Sequence, residues 1–246
     1  MISSLRRSAA LDLPTCTSAA LTLGTAYALK LAYSHAGANQ LAWILAPSCW
    51  FAEWLGGLGL RYEAGAGWIT HQPRMVVGPA CAGVNFLVVS WLALFFSQQA
   101  RWSGLGRKLL SALGCLGVAY LLTVLTNGLR IVLAAQLYAA DIYTGWLTRE
   151  RLHRALGVVL YCSVLFALCR ASGLRSRKAW HSDLAPFAWY LAVALGIPLA
   201  NRAYVRDPAH FVEHAALTLA LSLAVLFAFQ LITRVYDRLS SGATRP

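Results

Sequence analysis

Charged residues are scarce in this chain of 246 amino acids. Only 12% of its residues are Asp, Glu, Lys or Arg and 59% are hydrophobic, whereas an average soluble domain is roughly 25% charged. A soluble domain of this size could bury a core but would lack the charged residues to cover it. The composition therefore excludes a disordered chain, a collagen-like fibre and a typical cytosolic enzyme, and it predicts an integral membrane protein.

Acidic residues are the scarcer of the two charged classes. The chain has 9 Asp and Glu against 21 Lys and Arg, so its net charge is +12. No aromatic-basic RNA motif accompanies this surplus, and we expect no nucleic-acid partner. The basic residues cluster between apolar runs, as in the cytoplasmic loops of membrane proteins, which indicates the lipid bilayer as a partner. The clusters are Arg6-Arg7, Arg101, Arg107-Lys108, Arg170 and Arg175 to Lys178.

Paired cysteines are absent. Six cysteines occur, but they form no CxxC pair and show no disulfide-framework spacing. Most of them lie within apolar runs, where a thiol behaves as a small hydrophobic group. The sequence also has no internal repeat and no low-complexity tract, so we expect one transmembrane domain over residues 1–246.

Apolar runs predict membrane helices. A span requires about 20 apolar residues, and lipid offers backbone polar groups no other partner. The sequence predicts an all-α polytopic bundle of about seven helices, with a short hairpin or loop before the Cys81 helix. The run 109–139 is too long for one span, and Asn127-Gly128 is expected to interrupt it. The candidate segments are 17–34, 41–60, 83–100, 109–129, 154–171, 185–205 and 211–233.

The basic clusters also predict an orientation in the cytoplasmic (inner) membrane. Residues 101–108 and 170–178 should face the cytoplasm, so that 61–80 and 140–152 lie outside. Two complete spans after a cytoplasmic N-terminus would place 61–80 inside. Two alternatives therefore stay open: 41–60 only dips into the membrane, or the N-terminus lies outside.

Three reactive side chains are predicted to share one depth at the outer face. Counted from the nearest cytoplasmic basic residues, a step of about 20 helical residues reaches Cys81, Arg130 and His153 on three segments. A thiolate is a strong nucleophile, and a histidine can accept its proton and later protonate a leaving amine. An arginine favours the thiolate and can stabilise an oxyanion. The set predicts acyl transfer through a thioester without a cofactor.

Each of these residues also has a structural interpretation. Cys81 could be a buried structural thiol, Arg130 an interfacial anchor and His153 a solvated loop histidine. A charge at membrane depth costs about 2.5–3.5 kcal/mol, which favours a functional role for Arg130. His71 precedes Cys81 in the same outer loop and is the alternative base.

Two other functions remain open. His210, Glu213 and His214 match the H-x-x-E-H zinc-peptidase motif, in which the histidines share a helix face and the glutamate acts as base. No clear third ligand accompanies them, but a membrane zinc peptidase is the main alternative. The other is a non-enzymatic membrane transport or assembly protein, whose embedded charges would line a pore.

Three ordered blocks resemble the signature of the exosortase/archaeosortase family. They run from Pro79 to Phe86, from Asn127 to Ile131 and from His153 to Gly157. The family pattern is a Cys followed by a small residue and Gly, an Asn with Arg three residues on, and a His with Gly four residues on. The resemblance covers residues 41–171 and leaves 172–246 as a C-terminal helical extension. The first block is similar to that of the exosortase K subtype. Ala82 stands where many members carry serine.

The resemblance implies a multi-pass cysteine protease or transpeptidase. Cys81 is then the nucleophile, Arg130 the oxyanion stabiliser and His153 the general acid and base, while Asn85 and Asn127 orient the arginine or the substrate backbone. The implied partner is an exported protein with a C-terminal sorting signal: a short motif, a hydrophobic helix and a basic tail. Cleavage would proceed through a thioacyl-enzyme on the extracytoplasmic face.

Overall fold

A computed structural model describes residues 12–71, 73–171, 187–200, 205 and 207–242 of the chain. These residues form seven helices, as expected for an all-α bundle. Part of the predicted segment 185–205 lies outside the described residues. The helices are α1 (Leu13–His35), α2 (Ala42–Gly56), α3 (Val84–Gln98), α4 (Leu105–Ala139), α5 (Arg149–Ala171), α6 (Phe187–Gly196, continued by Ile197–Ala200) and α7 (Pro208–Gly242).

A small antiparallel sheet lies between α2 and α3, where the sequence predicts a hairpin or loop. Its strands are β1 (Arg61–Glu63), β2 (Gly67–His71) and β3 (Arg74–Val77), in the order β1-β2-β3. Gly67 has φ +110°, and a Cβ there would lie 2.5 Å from the Val77 carbonyl oxygen, so only glycine fits. Compared with the predicted hairpin, the sheet has a third strand, β1, which pairs with β2.

Helix α3 is the centre of the bundle. It packs against α1, α4, α5 and α6, and Phe86, Leu87 and Phe95 are almost completely buried. An apolar helix that is covered on all sides has its rotation and depth set by its neighbours. The short 3-10 turn Pro79–Cys81 precedes α3, so the position of Cys81 is set by this core helix.

Helix α4 corrects the predicted interruption at Asn127-Gly128. It runs unbroken over 35 residues, and both residues lie buried inside it. Gly128 packs directly on α2, because a Cβ there would lie 2.5 Å from Phe51 Cδ1 and 2.9 Å from the Ser48 carbonyl oxygen. Glycine costs a helix about 1 kcal/mol. Here the contact between α2 and α4 outweighs that cost.

Four helical stretches are long and apolar enough to cross a membrane. Helix α2 is not among them, because its 15 residues extend only about 22 Å. Helices α5 and α7 run parallel: Arg151 pairs with Glu213 near their starts, and Phe166 stacks on Phe229 further along. The four stretches are Pro79–Arg101, Leu105–Ala139, Arg149–Ala171 and Pro208–Val235.

Candidate active site

Cys81 lies in a turn that is held from several sides. Its side chain is buried, with 7% of the residue exposed. Gly83 follows with φ +70°, and a Cβ there would lie 3.1 Å from both Thr123 Cγ2 and the Tyr161 hydroxyl. The Tyr33 hydroxyl donates a 3.2 Å hydrogen bond to the Pro79 carbonyl. The glycine of the first block is thus required both by backbone conformation and by close packing.

His153 is the imidazole beside the sulfur. Its Nε2 lies 3.4 Å from Cys81 Sγ, and it accepts a short hydrogen bond from Arg130 Nη2. Because a guanidinium can only donate, Nε2 presents its lone pair and the proton of the neutral ring lies on Nδ1. The same lone pair can accept the thiol proton of Cys81 only when the Arg130 N–H leaves it, so the two interactions at Nε2 are alternatives. His153 belongs to the second turn of α5 and not to a solvated loop.

Arg130 is anchored by two further residues that connect it back to Cys81. Its Nη1 donates a 3.0 Å hydrogen bond to the Tyr161 hydroxyl, which in turn donates 2.9 Å to Asn127 Oδ1. Asn127 Nδ2 donates 2.6 Å to the Cys81 carbonyl. Together with the contacts at His153, these hydrogen bonds form a closed ring of five residues, which we call the site ring: Cys81, Asn127, Tyr161, Arg130 and His153.

The guanidinium of Arg130 packs closely on the backbone of Gly157. A Cβ at Gly157 would lie 3.1 Å from Arg130 Nε and 3.2 Å from Cζ. The Arg130 Cζ lies 5.4 Å from the centre of the Tyr161 ring, which stacks on Phe86 at 4.8 Å. Arg130 Nε is buried without a hydrogen-bond partner. The arginine is therefore held by shape as well as by hydrogen bonds.

Tyr161 is the residue of the site ring that the sequence does not predict. The available signal is its spacing, because His153, Gly157 and Tyr161 follow one another at intervals of four along one ridge of α5. An aromatic residue in an apolar run is more often a core residue, so the spacing alone does not single it out.

The other predicted residues lie around the site ring. Asn127 belongs to it, whereas Asn85 lies in the first turn of α3 and accepts a short hydrogen bond from Lys30 Nζ. His71 lies exposed at the end of β2. It lines neither of the two cavities beside Cys81 and Arg130. The structure thus brings together Cys81, Arg130 and His153, and it leaves His71 at the periphery.

Two cavities meet at His153. The strand-side cavity, about 350 Å³, is lined by Arg74, Met75, Val76, Ala80, Cys81, Tyr138, Arg149, Glu150 and His153. The helix-side cavity, about 260 Å³, is lined by Arg130 and His153 and also by Tyr190 and Thr218 of the C-terminal helices. Ala80, Glu150 and His153 line both. The C-terminal extension therefore forms part of the wall of the site.

In the H-x-x-E-H motif, the side chains of Glu213 and His210 contact arginines of α5. Both carboxylate oxygens of Glu213 accept hydrogen bonds from Arg151, at 2.8 and 3.2 Å. His210 Nδ1 lies 3.4 Å from Arg154 Nη2. Among the described residues, no group of three His, Cys, Asp or Glu side chains is arranged to hold a metal ion. Glu213 here joins α7 to α5.

Comparison of the chain with known proteins finds no matching family model, no matching curated protein and no matching solved structure.

Proposed function

We propose that this protein is an integral-membrane cysteine protease or transpeptidase of the exosortase type. The observation that carries the proposal is the contact of Cys81 Sγ with His153 Nε2 at 3.4 Å, with Arg130 bonded to the same nitrogen. A thiol, an acceptor nitrogen and a fixed cation in contact are the parts that thioester chemistry requires. Three sequence blocks that are far apart in the chain supply them.

The reaction follows from the site ring. As the Arg130 N–H turns from His153 Nε2 to the substrate carbonyl oxygen, Nε2 takes the thiol proton and Cys81 Sγ attacks the carbonyl carbon. The positive charge of Arg130 stabilises the oxygen of the tetrahedral intermediate. When the C–N bond breaks, the imidazolium returns its proton to the leaving amine and a thioester remains on Cys81. Water or an amine then attacks the thioester carbonyl and releases the thiol.

Membrane insertion is supported by the outer faces of the long helices. Many large apolar side chains along α4 and α7 are exposed, which is unfavourable in water. Six that are 47–71% exposed are Leu110, Leu113, Leu121, Leu125, Phe227 and Leu231. We place the multi-pass chain in the cytoplasmic membrane with Cys81 towards the extracytoplasmic side, because the basic residues 101–108 mark the opposite end of α3 and α4.

The substrate class follows from the resemblance. An exported protein that ends in a motif, a hydrophobic helix and a basic tail would halt in the membrane with its motif near the depth of Cys81. Holding the scissile bond at the nucleophile in this way lowers the entropic part of the barrier. No cofactor takes part in this scheme.

The test is co-expression of a membrane-anchored candidate substrate of this type, encoded by the same genome, with the wild-type protein or with its variants. Mass spectrometry of the substrate should show a cleaved C-terminus with the wild type and none with Cys81→Ala or Cys81→Ser. Cys115→Ala, which removes another buried thiol, is the matched control and should leave cleavage intact. His153→Ala should abolish cleavage and His71→Ala should not. Normal cleavage by Cys81→Ala ends the proposal.

A further inference from the structure

Strand β3 has one free edge. It pairs with β2 on one side, and no strand of the described residues pairs with it on the other. Such an edge presents main-chain N–H and C=O groups that can pair with another extended chain. The side chains of Arg74 and Val76 are exposed along this strand, and Val76 is 52% exposed.

Residues of this strand and the nucleophile line the same space. The lining of the strand-side cavity includes Arg74, Met75 and Val76 of β3 together with Cys81 and His153. Its volume of about 350 Å³ falls within the range of ligand sites. The chain passes from the end of β3 at Val77 through one 3-10 turn to Cys81, so the strand and the nucleophile are held by one continuous segment.

The opposite edge of the sheet does not offer this arrangement. Strand β1 lies beyond β2, about two strand spacings or 10 Å from β3. Its Tyr62 packs on Trp68 and donates a hydrogen bond to Asn39. None of the residues of β1 lines the cavity that contains Cys81. Of the two edge strands, only β3 lines the cavity that contains Cys81 and His153.

We propose that β3 binds the substrate peptide by strand addition, so that the extended segment next to the scissile bond pairs with the free edge of β3. The occupant is a peptide main chain, and its affinity comes from hydrogen bonds that require no particular side chain. This inference rests on the proposed function, because the scissile carbonyl must lie at Cys81. It adds that the substrate is recognised as an extended strand.

The test uses the purified full-length protein in detergent and chloromethyl ketones as probes. These reagents alkylate a reactive thiol when the sulfur displaces chloride. Acetyl-tetra-alanine chloromethyl ketone should modify Cys81 about tenfold faster than acetyl-alanine chloromethyl ketone, the gain expected from two main-chain hydrogen bonds. N-methylation of the tetra-alanine amides should remove that gain. Iodoacetamide measures the reactivity of Cys81 without a peptide, and mass spectrometry of the proteolytic peptide that contains Cys81 gives each rate, because Cys16 is an exposed thiol that these reagents also modify.

A benzophenone on the N-terminus of the tetra-alanine probe locates the bound chain. After alkylation of Cys81 and irradiation, crosslinks should map to Arg74–Val77 of the same molecule. Crosslinks to Thr218 or Tyr190 would place the peptide in the helix-side cavity, and crosslinks to a second copy would make the edge a dimer contact. Either result overturns the inference, as does equal reactivity of the N-methylated probe. If neither iodoacetamide nor the probes modify Cys81, the proposed function fails as well.

Discussion

Gly157 lies against the guanidinium of Arg130 so closely that a Cβ at Gly157 would be 3.1 Å from Nε. The two residues come from different helices, α5 and α4. The same helix ridge presents His153 one turn earlier and Tyr161 one turn later, and both bond to Arg130. A Cβ at Gly157 would therefore push Arg130 by a few tenths of an ångström from its place between them.

Gly157→Ala should displace Arg130 from His153 without preventing insertion of the protein. We expect substrate cleavage to fall at least about tenfold, equivalent to ~1.4 kcal/mol of barrier. The measurement is the cleavage rate per inserted molecule in the co-expression assay. Gly117→Ala is the control, because a Cβ at Gly117 of α4 meets nothing within 4 Å. Equal rates for the two variants would show that the close contact has no part in activity.

Tyr161→Phe should impair catalysis while the ring still stacks on Phe86. The change removes the acceptor of Arg130 Nη1 and the donor to Asn127 Oδ1. A buried polar group without a partner costs about 1–3 kcal/mol. We expect slower cleavage and slower alkylation of Cys81 by iodoacetamide, because Arg130 is then less firmly held beside the sulfur.

The control for Tyr161 is Tyr120→Phe. The Tyr120 hydroxyl is likewise hydrogen-bonded, with one bond donated at 2.7 Å to the Trp43 carbonyl, but it lies away from the site ring. Its loss should leave both rates unchanged. If Tyr161→Phe behaves in the same way as Tyr120→Phe, the hydroxyl of Tyr161 does not position Arg130.

Glu213→Gln separates the ion-pair role of Glu213 from the role of a zinc-peptidase base. Because the pair with Arg151 is partly exposed, its loss should lower stability by at most about 1 kcal/mol. Cleavage should persist, and 1,10-phenanthroline should have no effect on it. A base in metal-dependent hydrolysis would give the opposite pattern: loss of cleavage in Glu213→Gln and inhibition by the chelator.

The general architecture can be predicted from the sequence because it depends on the summed hydrophobicity of residue runs and on local turn composition. Long apolar runs predict helices, and the intervals of glycine and polar residues around 61–80 predict a turn-rich excursion. Counting one membrane thickness along three segments makes Cys81, Arg130 and His153 candidates, because helix rise converts sequence distance into depth. The resemblance of the three sequence blocks to a family signature singles them out, and the structure places Cys81 and Arg130 both against His153.

The remaining features depend on contacts that spacing does not reveal. The third strand, Arg61–Glu63, forms by pairing with β2. Its three residues are too few to show a periodic pattern in the sequence. Tyr161 looks like a core aromatic residue until its hydroxyl partners are known. Asn127-Gly128 looks like a helix break because the sequence shows the cost of glycine but not the packing of α4 on α2 that compensates for it.

Gly128→Ala tests that compensation. On an isolated helix the exchange of glycine for alanine is favourable by about 1 kcal/mol. Here the new Cβ would lie 2.5 Å from Phe51 Cδ1 and 2.9 Å from the Ser48 carbonyl oxygen. The phenyl ring can rotate away, but the carbonyl belongs to the backbone of α2, so the helix itself must move. We expect a net loss of about 1–3 kcal/mol, as for other overpacked cores.

The measurement for Gly128 is the midpoint of thermal unfolding in detergent, compared with that of Gly114→Ala. A Cβ at Gly114 of α4 meets nothing within 4 Å, so this control reports helix propensity alone and should not lower the midpoint. Adding Phe51→Ala to Gly128→Ala should recover only part of the loss, because the contact with the Ser48 carbonyl remains. Full recovery would assign the clash to the ring alone, and an unchanged midpoint in Gly128→Ala would mean that α2 can withdraw from α4 without cost.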